Sequence, residues 1–191
     1  NPTTEVTDRR GNRTRFAFDR AGHITTLEQF TDGNPPDEPA SYVTAYEYNA
    51  AGERTRAVFP RGNSIEYAYD GKGNLLEIRR KKIGAVKGVA NPSDLVTTFT
   101  YEPRFNLLKT LTDPRGHVTA YLYDYEIGEP ANGNLRRIVP PAVNGVSAQT
   151  AFTYTRFGQV ETVTDPTGIV TKYAYDSATG QLLSAIDGWG T

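Results

Sequence analysis

Short alternations of apolar and polar residues recur along this chain between clusters of Asp, Asn, Gly and Pro. In the stretch from Asn63 to Tyr69, Ile65, Tyr67 and Tyr69 fall on one face of an extended strand, and Ser64, Glu66 and Ala68 on the other. Residues 169 to 175 repeat the pattern with Ile169, Thr171, Tyr173 and Tyr175. Aromatics two residues apart share a face on a strand and diverge on a helix, so these segments are predicted strands. Aligned on the second ring, the pairs are Phe16 and Phe18, Tyr46 and Tyr48, Tyr67 and Tyr69, Phe99 and Tyr101, Tyr121 and Tyr123, Phe152 and Tyr154, and Tyr173 and Tyr175. Successive copies are 30, 21, 32, 22, 31 and 21 residues apart, so the seven form doublets of about 52 residues. Self-similarity at a fixed period marks an array whose units bury surface against their neighbours.

After each pair the sequence changes to turn chemistry. Asp19 and Gly22, Asn49 and Gly52, and Asp70 and Gly73 occupy the first and fourth positions of a type I turn. The side chain caps its own backbone there, and glycine supplies the left-handed residue from which the second strand starts. Each copy is therefore a predicted hairpin. Asp113, Pro114 and Gly116, and Asp165, Pro166 and Gly168, place the same chemistry between hairpins, with Asp8 to Gly11 and Phe59 to Gly62 as variants. Proline presets the second position. Two copies depart: Glu102-Pro103-Arg104-Phe105 lacks the glycine and Thr155 replaces the aspartate, which should weaken one turn each. The fifth copy carries six extra residues between Asp124 and Gly133. Residues 30 to 43, 79 to 98 and 139 to 151 are expected loops on one edge of the array.

The returning strands leave one matter open. Apolar residues recur two past the glycine (Ile24, Leu75, Leu135, Leu182) and five past it (Leu27, Ile78, Ile138). These lie on opposite faces of a regular strand, so either a bulge intervenes or both faces touch something. Residues 5 to 11 and 186 to 190 both read as inter-hairpin turns, and the array is expected to continue past each.

Composition narrows the function. With a net charge of -1 and pI near 6.2, the chain has no electrostatic footprint for nucleic acid or an anionic membrane, and no apolar run reaches membrane-span length. Zero cysteines exclude disulfides, thiolate metal sites and cysteine nucleophiles. Aliphatic content is low, so cohesion must come from ladder hydrogen bonds and same-face side-chain pairs, each worth roughly 0.2 to 1 kcal/mol. Turn positions account for the carboxylates, and His23 and His117 lie in different units without a third ligand at metal spacing. We therefore assign no catalytic, cofactor-binding or metal residue. The one basic cluster, Arg79-Arg80-Lys81-Lys82 with Lys87, reads as a solvated loop, and Asn12-Arg13-Thr14 matches a glycosylation acceptor.

The phrase Tyr-x-Tyr-Asp-x-x-Gly-x-Leu, followed by Thr-Asp-Pro-x-Gly-x-x-Thr-x-Tyr, resembles the YD repeat of the Rhs family. That family includes bacterial polymorphic toxins, toxin-complex C components, wall-associated proteins and teneurins. The resemblance covers essentially the whole chain. It implies an all-β fold of tandem hairpins in a curved antiparallel strip, part of a spiralled hollow β-shell, with 1–191 as one segment. It further implies a non-enzymatic scaffold, without cofactor, that encloses a toxin or other cargo polypeptide until delivery. Expected partners are the remaining repeats of the parent shell and that cargo, and neither nucleic acid nor a membrane span is expected. Location would be secreted or delivered through a bacterial secretion system. The alternative is an extracellular adhesion or carbohydrate-binding surface built from exposed aromatics.

Overall fold

The structure is a computed structural model that describes residues 1–31 and 37–188. Residues 32 to 36 of the first expected loop, and Trp189 and Gly190 of the last expected turn, lie outside the described residues. The strands are β1 (Thr3–Thr7), β2 (Arg13–Phe18), β3 (Ile24–Phe30), β4 (Ser41–Tyr48), β5 (Arg54–Val58), β6 (Ser64–Tyr69), β7 (Leu75–Lys81) and β8 (Leu95–Tyr101). They continue as β9 (Leu108–Thr112), β10 (Val118–Tyr123), β11 (Leu135–Val139), β12 (Thr150–Tyr154), β13 (Val160–Thr164), β14 (Val170–Tyr175) and β15 (Leu182–Ile186), with one 3-10 turn at Asp124–Ile127. Strand neighbours follow chain order and pair antiparallel. The fold is thus all-β, and every predicted aromatic pair ends the first strand of a hairpin.

The chain divides into two compact units, Asn1–Thr98 and Phe99–Thr191. In the first unit β1 to β7 pair in sequence and β7 pairs with Leu95 to Thr98 of β8. In the second, Thr100 bonds Thr110 of β9 through their hydroxyls at 2.6 Å, and β9 to β15 pair in sequence.

The open matter of the returning strands resolves as a bulge beside the second aromatic. Tyr69 faces Leu75, Ala68 faces Glu77 and Tyr67 faces Ile78, so Leu76 is the extra residue. The shift recurs at Ala17/Phe18, Glu47/Tyr48, Leu122/Tyr123, Thr153/Tyr154 and Ala174/Tyr175. It returns the two aliphatic positions to the aromatic face: Ile24 and Leu27 oppose Phe18 and Phe16, Leu135 and Ile138 oppose Tyr123 and Tyr121, and Val160 and Val163 oppose Tyr154 and Phe152. Each such quartet is a packing unit of cross-strand aromatic and aliphatic pairs.

The other face carries polar rows. Glu5, Arg15 and Glu28 oppose one another across β1 to β3, and Glu47, Arg56, Glu66 and Arg79 do so across β4 to β7. Signs alternate along both rows, which favours this register over a one-residue slip. Among the described residues only Ala57 and Tyr123 are buried apolar side chains.

Candidate functional site

The turns come first, because they set the spacing of everything else. In Asp19, Oδ1 accepts the backbone N–H of Ala21 and of His23 at 2.9 Å each. Asp8, Asn49, Asp70, Asp113 and Asp165 take the same two donors, two and four residues on. Asp176 takes its two donors from the residues two and three on. Gly22, Gly52 and Gly73, and Gly116 and Gly168 after Pro114 and Pro166, have φ between 82° and 90° and donate to the carbonyl three residues back. The carboxyls of Asp19 and Asp70 are held below the usual range, first by the side-chain bond from His23 or Asn74 and then by the backbone donors.

The two departures behave differently. Glu102 is buried, and its carboxylate accepts the N–H of Arg104, Phe105 and Leu107 at 2.7, 2.9 and 2.8 Å, while Asn106 at φ 59° takes the left-handed position. Burial alone would raise this carboxyl. The three N–H donors, with the Tyr125 hydroxyl nearby but outside hydrogen-bonding geometry, reverse it and hold it at about 2. The longer side chain spans a longer turn, so this copy is not weakened as expected. Thr155 accepts its two donors at 3.3 Å each, longer than the aspartates do.

Neighbouring turns touch through the residue after the glycine. His23 follows Gly22 and stacks on Tyr48 at 4.7 Å, and a Cβ on Gly52 would lie 3.0 Å from its Nε2. Glu53 stands against Gly73 in the same manner. Gln159 donates to the Gly180 carbonyl at 2.8 Å. The turn glycine thus meets two demands, a left-handed φ and room for the preceding turn.

A second link joins hairpins through the second ring of the pair. The hydroxyls of Tyr48, Tyr69, Tyr123, Tyr154 and Tyr175 donate to the carbonyls of Ile24, Arg54, Leu108, Leu135 and Val160. The distances are 2.7 to 3.1 Å. Each accepting residue opens the returning strand of the preceding hairpin. Tyr123 is 6% exposed, and burial, then the charges of Glu102 and Glu126, push its hydroxyl up to about 12. No local sequence signal marks this contact, because donor and acceptor are 15 to 24 residues apart. The preference for Tyr over Phe at the second position is the trace it leaves.

The basic cluster corrects the expectation of a solvated loop. Arg79, Arg80 and Lys81 belong to β7, and the Lys81 side chain is fully out of solvent. Its ammonium donates to the carbonyls of Val86 and Val89 at 2.9 and 2.6 Å, with Glu66 and Asp94 at 3.7 Å. Gly88 N–H donates to Glu66 at 3.1 Å, and Lys87 pairs with Glu47. The connection from 82 to 94 is therefore strapped to the polar face of the first unit.

The insertion of the fifth copy winds around Asp124, 1% exposed, which accepts the N–H of Tyr125, Asn132, Gly133 and Asn134 at 2.8 to 3.2 Å. Near the last hairpin, Arg156, Phe157, Tyr173, Tyr175 and Asp176 line a groove of about 700 Å³. Among the described residues, no group of three or more His, Cys, Asp or Glu could hold a metal ion.

Repeating turns, a repeating bulge and a repeating tyrosine link define a protein of tandem antiparallel hairpins. The RHS Repeat family model matches residues 154–191, from the second ring of the sixth pair onward. Over 177 residues the chain is 29% identical to double-stranded DNA deaminase toxin A of Burkholderia cenocepacia (strain H111), covering 93% of this chain and 10% of that protein. Over 200 residues it is 28% identical to probable deoxyribonuclease RhsB of Dickeya dadantii (strain 3937), covering 95% and 11%. The chain thus spans about a tenth of the length of these relatives. A crystal structure of TcdB2–TccC3–Cdc42 superposes with a TM-score of 0.63 at 16% identity, covering 97% of this chain and 10% of that one. The Tc holotoxin pore of Photorhabdus luminescens gives 0.62 at 16%, with the same coverage. These two share its fold.

Proposed function

We propose that this chain is a non-enzymatic wall segment of an Rhs-type shell that encloses a toxin or other cargo polypeptide until delivery outside the producing cell. The carrying observation is in-phase repetition: turn carboxylates accept backbone N–H groups of their own turn, second-position tyrosines donate to the preceding hairpin, and among the described residues no group of three or more His, Cys, Asp or Glu could hold a metal ion. Two similar proteins are named as a deaminase toxin and a deoxyribonuclease, and the match covers about a tenth of each. An enzymatic part elsewhere in the parent, behind a wall of repeats, agrees with both facts. The remaining repeats would continue the pairing from the sheet edges, and the cargo would be the second partner.

Protease protection tests this reading. When the parent protein is treated with protease, a polypeptide that is not wall should survive intact until denaturant opens the shell. Digestion of all non-wall sequence at the rate of an unstructured chain would overturn it.

A second reading draws on the groove beside Phe157 and Tyr173, whose rings and polar rim suit a sugar. A glycan array probed with this chain distinguishes it: selective binding lost in Tyr173→Ala favours an adhesive surface.

A further inference from the structure

The buried end of β7 holds groups whose chemistry the strap alone does not use. Arg80 pairs with Leu95, so Lys81 and Asp94 are the next two residues along the same antiparallel strands, where opposed side chains start about 5 Å apart. Both side chains are fully out of solvent, and Glu66, which pairs with Arg79, is 17% exposed. The Lys81 ammonium lies 3.7 Å from Asp94 Oδ2 and 3.7 Å from Glu66 Oε2. Asp94 is fixed through that one oxygen: Oδ2 accepts Asn91 N–H at 3.0 Å and the Arg79 guanidinium at 3.4 Å. Its other oxygen, Oδ1, is buried without a hydrogen-bond partner. A buried ion pair that serves only stability has both oxygens satisfied, so the orphan calls for another account.

We propose that Lys81 and Asp94 condense to an intramolecular amide, with Glu66 carrying the protons. Glu66 takes a proton from the ammonium and frees the Nζ lone pair, which attacks Asp94 Cγ. Asn91 N–H and Arg79 face Oδ2, the oxygen on which negative charge gathers. The C–N bond forms, the Cγ–Oδ1 bond breaks, and Oδ1 departs as water with the two protons that the ammonium loses. Ammonium and carboxylate give a neutral amide and water, so charge balances and no co-reactant is needed. The atom that leaves is the one without a partner, and the oxygen that stays keeps both of its donors. Burial would raise the Asp94 carboxyl, but the bonds from Asn91 and Arg79 with the Lys81 charge hold it below its usual range, so the pair starts ionised. In water the same condensation runs uphill; here exclusion of water and fixed placement of both partners favour it. The product closes a covalent ring over residues 81 to 94 and fastens the connection to β7 independently of its hydrogen bonds. Every group involved lies in the first unit, so the inference stands apart from the shell reading.

Peptide mapping of the natively purified parent protein tests this. After denaturation and exhaustive trypsin digestion, an unlinked chain releases residues 88 to 104 as a free peptide, because trypsin cuts after Lys87 and Arg104. A linked chain is not cut after Lys81, and that peptide should instead carry Lys81-Lys82, at the summed mass of the two less one water. Tandem fragmentation should place the bridge at Lys81 and Asp94. Lys81→Arg and Asp94→Ala should abolish the branched peptide, and Glu66→Gln, with an unchanged circular dichroism spectrum, should lower the linked fraction by roughly tenfold or more. Recovery of residues 88 to 104 from the unsubstituted parent only as a free peptide would overturn the proposal, whatever the variants do. A bridge at Lys82 or Lys87, or an undiminished bridge in folded Glu66→Gln, would overturn it as well.

Discussion

Gly52 shows how much one position without a side chain carries. At φ 82° an alanine is strained, and its Cβ would meet His23 Nε2 at 3.0 Å. Gly52→Ala should cost about 1–2 kcal/mol in urea unfolding, from the left-handed backbone and the crowded ring together. Adding His23→Ala should recover only the crowding part, and full recovery would show that φ matters little here. Glu102 makes a prediction in pH. Its carboxyl is held at about 2, below its ordinary 4.5, so its contribution is complete above about 4.5 and is lost as pH falls through about 2. Glu102→Gln should lower stability at pH 7 and flatten the acid limb of the second unit's unfolding between those values; an unchanged limb would remove Glu102 from the account. The aspartate turns were legible because Asp and Gly act within four residues of each other. The Glu102 turn was not, since its compensation by Asn106 and a longer side chain lies outside the Asp-x-x-Gly spacing.

Within a hairpin the bulge decides which residues pack. Deleting Leu76 would leave Leu75 and Ile78 two residues apart on the aromatic face and remove only the bulge, whereas Leu76→Ser keeps the bulge and removes only a part-exposed side chain. Both variants should keep cooperative unfolding of the first unit by circular dichroism, the serine variant within about 0.5 kcal/mol of the parent sequence. Loss of cooperative unfolding in the deletion variant would mean that the bulge itself, and not the pairing of the quartet, holds the register. Lys81 makes a different point about β7. Lys81→Ala leaves Glu66 and Asp94 without their buried cation and removes the ammonium donor of the Val86 and Val89 carbonyls, a loss of about 3–5 kcal/mol by analogy with other broken buried pairs. Hydrogen exchange should speed first at Gly88 and its neighbours. The bulge left a mark in the sequence, aliphatics two and five past the glycine, but that pattern alone did not distinguish it from a strand touched on both faces. Lys81 left none, because four basic residues in a row look alike whether or not one of them turns inward.

Within each unit, cohesion passes from hairpin to hairpin and, among the described residues, hardly at all through a core. Tyr123→Phe removes the bond to Leu108 and leaves a carbonyl unpaired, at a cost of about 1–2 kcal/mol. In a nearest-neighbour array the resulting faster hydrogen exchange should centre on β9 to β11 and spare β14 and β15; uniform acceleration through the second unit would contradict that. The hairpin array was readable from paired rings and turn residues. A shell was not, because strand spacing specifies neighbours and says nothing of closure, and the proposal of one rests on the resemblance to the Rhs family. Electron microscopy of the uncut parent protein tests the central claim most directly. A hollow capsule with extra density inside, its wall fitted by these hairpins, is the predicted result, and a solid rod or a compact globule would contradict it.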